Sequence, residues 1–66
     1  MNYTELMSVY GDAYRYAVDG GQGEDSAHKF AFYVSEQFRD YTLDEYLTVA
    51  NMRHLWVRYS ETVVAQ

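Results

Sequence analysis

The stretch "DGGQGEDSAHKF", Asp19 to Phe30, carries three of the chain's four glycines together with three acids. It is the one segment that plainly breaks the pattern on either side of it. The chain has no proline, so nothing else stops a helix sharply. The break therefore sets the architecture: a helical segment before it, a reversal, and helical segments after it.

The first segment runs from about Tyr3 to Val18. Tyr3, Leu6, Met7, Tyr10, Tyr14 and Ala17 recur at spacings of three and four, the period of an amphipathic helix. Asn2 followed by Glu5 fits a capping box, with Thr4 as a competing cap. Gly11 costs about 1 kcal/mol against Ala in a helix interior, so it either weakens this helix or marks a close helix contact. Gly20, Gly21 and Gly23 end it, since a glycine just past the last turn can take the left-handed conformation. Asp25 or Ser26 is then the expected cap of a second helix, whose stripe is Ala27, Phe30, Ala31, Val34 and Phe38. Phe32 and Tyr33 fall off that stripe.

Thr42 with Glu45 reads as a second capping box ahead of an apolar run. A third helix is expected from about Leu43 to Val63. One stripe on it holds Leu43, Tyr46, Leu47, Ala50, His54 and Val57; another holds Val49, Met52, Trp56, Tyr59 and Val63. A helix apolar over so wide an arc must be covered on two sides. The expected fold is therefore all-α, a three-helix domain spanning residues 1–66. The alternative is α+β: aromatic alternation over residues 13–18 and 29–34 suits a hairpin across the glycines. The 3.6-residue period extends further than the period of two, and favours helices.

Sixty-six residues without cysteine must hold together without disulfides or thiolate metal sites. Eight tyrosines, three phenylalanines and one tryptophan are the compensation, because rings bury a large area each. Ten acids against five bases give a net charge of −5. That argues against direct binding of nucleic acid or an anionic membrane surface, and favours a basic protein partner. No apolar run approaches the roughly 20 residues of a membrane span, and the first residues lack the basic start and apolar core of a secretory signal. A cytoplasmic location is expected.

Candidate chemistry is sparse. "GGQGEDS" lacks the GxxxxGK[ST] and GxGxxG spacings that cradle phosphate, and its acids would repel the anion. Asp19, Gln22 and Glu24 do not supply the alternating acids of a calcium loop. His28 with Glu24 and Asp25 has no further ligand at suitable spacing for zinc, and is expected on the surface. His54 is expected half-buried with a satisfied ring nitrogen. No nucleophile–base pair can be named, so no catalytic, metal or cofactor site is assigned.

Acids at helix starts are accounted for by the helix dipole. These are Glu5, Glu24, Asp25, Asp44 and Glu45; of the rest, Asp40 can cluster with Asp44 and Glu45 at the second boundary, with Glu36 one helical turn before Asp40. Tyr41 and Tyr33 stand beside them as contact anchors, since tyrosine gives large contact area at low entropic cost. These six residues are the candidate partner-binding surface. A homodimer through Met52, Trp56 and Tyr59 is the alternative.

"EDSAHKF" and "YTLDEYL" are helix starts in a very short, cysteine-free, strongly acidic, aromatic-rich chain. In these features the whole chain resembles the small acidic anti-defence proteins of phages and mobile elements, anti-CRISPR proteins among them. The resemblance implies inhibition by binding, with negative charge imitating DNA in the basic channel of a defence complex.

Overall fold

The computed structural model describes residues 1–64. Among them are α1 (Tyr3–Asp19), α2 (Glu24–Gln37), α3 (Leu43–Val49) and α4 (Met52–Val64), and no strand. The fold is all-α. The hairpin alternative fails, because residues 13–18 and 29–34 lie within α1 and α2.

α1 begins as expected. Asn2 Oδ1 accepts from Glu5 N at 2.8 Å, and Glu5 Oε1 accepts from Asn2 N at 3.0 Å. It ends in a Schellman closure: Gln22 N donates to Ala17 O and Gly21 N to Val18 O, with Gly21 at φ 91°. The cap of α2 differs from expectation. Gly23 holds that position with no side-chain cap, so Asp25 and Ser26 lie inside the first turn. Glu24 and Asp25 face the positive end of the helix dipole there, and their charge serves in place of a side-chain cap.

The α2 stripe is as read: Ala27, Phe30, Ala31, Val34 and Phe38 are all buried. On α1 the stripe lies elsewhere. Val9, Ala13 and Ala17 are buried, whereas Tyr3 is 77% and Met7 47% exposed. The large rings suggested one face, but small residues form the contact. α1 and α2 share the most extensive interface in the molecule. Ala13 and Ala17 on one side, with Ala27 and Ala31 on the other, let the two backbones approach closely. Tyr10 and Tyr14 then close the border, packed against the core and against the His28 ring. Gly11 takes no part: it is exposed, and a Cβ there would meet nothing within 4 Å.

The expected third helix is two. Ala50 is extended, at φ −69° and ψ 133°, and Asn51 Oδ1 accepts from His54 N at 3.2 Å to start α4. The break has a packing reason. Tyr46 and Leu55 are both buried, yet they lie nine residues apart. At about 100° per residue a continuous helix would point them in opposite directions. The bend turns both inward, and so resolves the two stripes without a second covering layer. Tyr46 packs edge-on to Phe38, at 5.1 Å between centroids. Trp56 and Tyr59 pack edge-on to Phe30, at 5.0 and 5.6 Å. Of the stripe residues, Leu47, Val49, Val57 and Val63 remain more than half exposed, and His54 is exposed rather than half-buried.

Candidate protein-binding face at the acidic turn

The turn between α2 and α3 is built by two local devices. Phe38 N donates to Val34 O, and Tyr41 N to Phe38 O, which closes α2 over its last buried ring. Thr42 then opens α3 with the second capping box: Glu45 N donates to Thr42 Oγ1 at 3.1 Å, and Thr42 N donates to Glu45 Oε1 at 2.9 Å. The Met1 nitrogen donates to the Arg39 and Tyr41 carbonyls, at 2.9 and 3.1 Å, and ties the start of the chain to this turn.

The carboxylates of the turn differ in what they are free to do. Glu36, in the last turn of α2, lies 3.8 Å from Arg39 in the turn just beyond it, both side chains well exposed. A surface pair of this kind contributes about 0–1 kcal/mol, and it offsets part of the Glu36 charge. Glu45 is occupied as a cap. The Thr42 backbone N–H, and then the Thr42 hydroxyl, hold its carboxyl below the usual range. Its folded pKa is depressed, so its contribution is present above the ordinary carboxylate pKa and fades as pH falls through the folded value. Asp40 and Asp44 are exposed, and among the described residues no salt bridge engages them.

Tyr41 sits among these acids. It is 42% exposed, with one face edge-on to Phe38 at 4.9 Å. It also lines a cleft with Gln37, Phe38, Val49, His54, Leu55 and Arg58, so the acidic turn borders basic residues of α4 on that side. Tyr33 is not brought to the turn surface in the same way. It is half-buried, with its ring 5.5 Å from that of Tyr59. The structure therefore gathers Glu36, Asp40, Tyr41, Asp44 and Glu45 around one turn, and commits Tyr33 to packing between α2 and α4.

The residues set aside for the dimer alternative are also used internally. Met52, Trp56 and Tyr59 are partly buried against the core. His28 is on the surface as expected, with its Nδ1 2.6 Å from Tyr10 Oη. Among the described residues no group of three or more His, Asp or Glu is placed to hold a metal ion, and no helix is long and apolar enough to cross a membrane.

Two features escaped the sequence reading. One is a shallow apolar groove between α1 and α2, lined by Tyr3, Leu6, Met7, Tyr10 and Phe32 with Glu36 and Arg39 at its edge. Phe32 is 62% exposed there; its absence from the α2 stripe was the available signal. The other is the link from α3 to α1. Tyr46 Oη donates to Asp12 Oδ2 at 3.3 Å. Burial, then the Asp12 charge and this bond, push the Tyr46 phenol up to about 12. Nothing in the spacing of Asp12 and Tyr46 announces a contact across 34 residues. No protein-family model, curated protein or solved structure matches this chain.

Proposed function

We propose that the protein is a non-enzymatic inhibitor that docks its acidic turn on the basic surface of a nucleic-acid-binding protein, in the manner of the anti-defence proteins it resembles, anti-CRISPR proteins among them. The observation that carries this reading is the pair of exposed carboxylates, Asp40 and Asp44, free of salt bridges among the described residues, that flank the exposed Tyr41 in the chain. Charge of this kind steers encounter and fixes register, while a ring at the centre sets the lifetime of the complex. Net charge of −5 supports the same choice of partner.

The test is competition. The protein is titrated into complexes of candidate basic proteins with labelled duplex DNA, and DNA release is followed by fluorescence polarisation. Release is expected at low salt and weakens steeply as salt rises. The triple variant Asp40→Asn, Asp44→Asn, Glu45→Gln removes charge while Gln keeps the capping box. It should lose at least tenfold in potency with unchanged helix content. Equal potency in variant and parent rules out the acidic turn as the docking surface.

A further inference from the structure

α1 ends with the wrong sign of charge. Cations are the stabilising groups at the C-terminal, negative end of a helix. The last turn of α1 holds no basic residue, and its final residue is the exposed Asp19. Arg15 stands four residues earlier, at a spacing that allows a pair. Among the described residues, however, no salt bridge engages Asp19 or Arg15. The carboxylate and the helix end therefore add their negative potentials at one place.

Two rings stand at that same place. Tyr16 from α1 and Trp56 from α4 line a half-open cavity of about 400 Å³, together with Asp19, Gly20 and Gln22. The fully buried Phe30 ring packs against both, 6.2 Å from Tyr16 and 5.0 Å from Trp56 between centroids. The core thus holds these two walls in position. Tyr16 is still 38% exposed, and Trp56 is only partly buried. No Lys, Arg or His lines the cavity. Its size falls within the range of small-ligand sites.

A carboxylate, a negative helix end and two rings select one kind of guest. A lysine ammonium would use the carboxylate, but it is a compact and strongly hydrated point charge. A quaternary ammonium would use the rings and donate nothing to Asp19. A planar guanidinium uses both, because it stacks on aromatic faces and donates two parallel hydrogen bonds to a carboxylate. Gln22 Oε1, which accepts from Ser26 Oγ at 3.3 Å, is a further acceptor at the wall.

We infer that this cavity is a guanidinium site, with Asp19 accepting from the guanidinium nitrogens and the Tyr16 and Trp56 rings flanking its plane. The site shares no residue with the acidic turn, so it does not depend on the inhibitory reading, and the two can fail separately. With one carboxylate and a half-open wall, affinity for a single side chain is expected in the millimolar range.

The experiment is a titration of the isotope-labelled protein with acetyl-arginine methylamide at constant ionic strength, followed by amide and indole NMR shifts. Saturable shifts should centre on residues 16–22 and on the indole N–H of Trp56, the only tryptophan. The citrulline analogue has the same outline without the charge and should not bind. The lysine analogue and tetramethylammonium should each bind several-fold more weakly than the arginine compound. Asp19→Asn, at an exposed position, should weaken binding several-fold with unchanged circular dichroism, and Tyr16→Leu should weaken it as well. Arg15→Gln should bind at least as well as the parent. Free arginine binding tighter than the blocked form marks a site for the amino acid itself; equal or weaker binding marks a site for an arginine within a protein chain. Either result upholds a guanidinium site. Citrulline, lysine or tetramethylammonium binding as well as arginine overturns the inference. So does an Asp19→Asn variant that binds like the parent, or the absence of saturable shifts at millimolar ligand.

Discussion

α1 and α2 meet through alanines; α3 and α4 are held by rings. In the first region Ala13, Ala17, Ala27 and Ala31 are all 2% exposed or less, and the helices contact along much of their length. In the second, Tyr46 and Leu55 are the buried residues of α3 and α4, and Trp56 and Tyr59 reach the core only in part. The difference teaches how so short a chain manages its core. Small residues give one tight, locally connected helix pair. Large rings then let two short helices hold on to that pair at a few points. The second region is accordingly the one expected to open first under native conditions, since it has fewer buried contacts.

Phe30 is where the two regions join: fully buried on α2, it touches Tyr16, Trp56 and Tyr59. Phe30→Ala should therefore have the largest effect, about 3–5 kcal/mol. That approaches the whole stability of a small domain, at about 5 kcal/mol for the weaker ones. Urea unfolding followed by circular dichroism checks it. A loss below 1 kcal/mol would mean that the rings of α4 do not depend on Phe30, and would break the comparison.

Tyr46→Phe should cost less, about 0.5–1.5 kcal/mol for the bond to Asp12. Hydrogen exchange should rise in α3 and α4 while α1 and α2 stay protected. The pH dependence has a definite sign. The Tyr46 pKa is raised in the folded state, so its contribution is complete below about 10 and is lost as pH rises through about 12. Ultraviolet titration of the eight tyrosines should show one late phenol, absent from the variant.

Gly11→Ala should have the smallest effect, and of opposite sign. The position is helical, exposed and open, so the substitution should stabilise by about 0.4–1 kcal/mol. Thermal unfolding measures it. Destabilisation would show that α1 makes a close approach at Gly11 after all.

Much of this was legible in the sequence where the determinant was local. Both capping boxes, the glycine closure and the α2 stripe follow from residues within a turn or two of one another. On α1 large side chains mark the wrong face: Ala13 and Ala17 carry little apolar signal in the sequence, although only small residues allow the close approach. The bend at Ala50 and Asn51 was missed for a related reason. Asn51 caps α4, and the need for that cap arises from Tyr46 and Leu55 both seeking the same core. Of the candidate face, the clustering of Asp40, Tyr41 and Asp44 was readable because they are neighbours in the chain. The commitment of Tyr33 to Tyr59 depends on how α2 and α4 pack in three dimensions, whereas Glu36 and Arg39, three residues apart, form a local pair.

The bend also sets a boundary on how far this chain can be altered and remain one molecule. Ala50 and Asn51 act as an elbow, and replacing Asn51 with a strong helix former would favour straightening it. The fused rod would carry Trp56 and Tyr59 away from their own Phe30, leaving that ring open to the same rings from a neighbour. Two chains could then trade their last helices, a route to entangled pairs that hinge-segment substitutions are known to open.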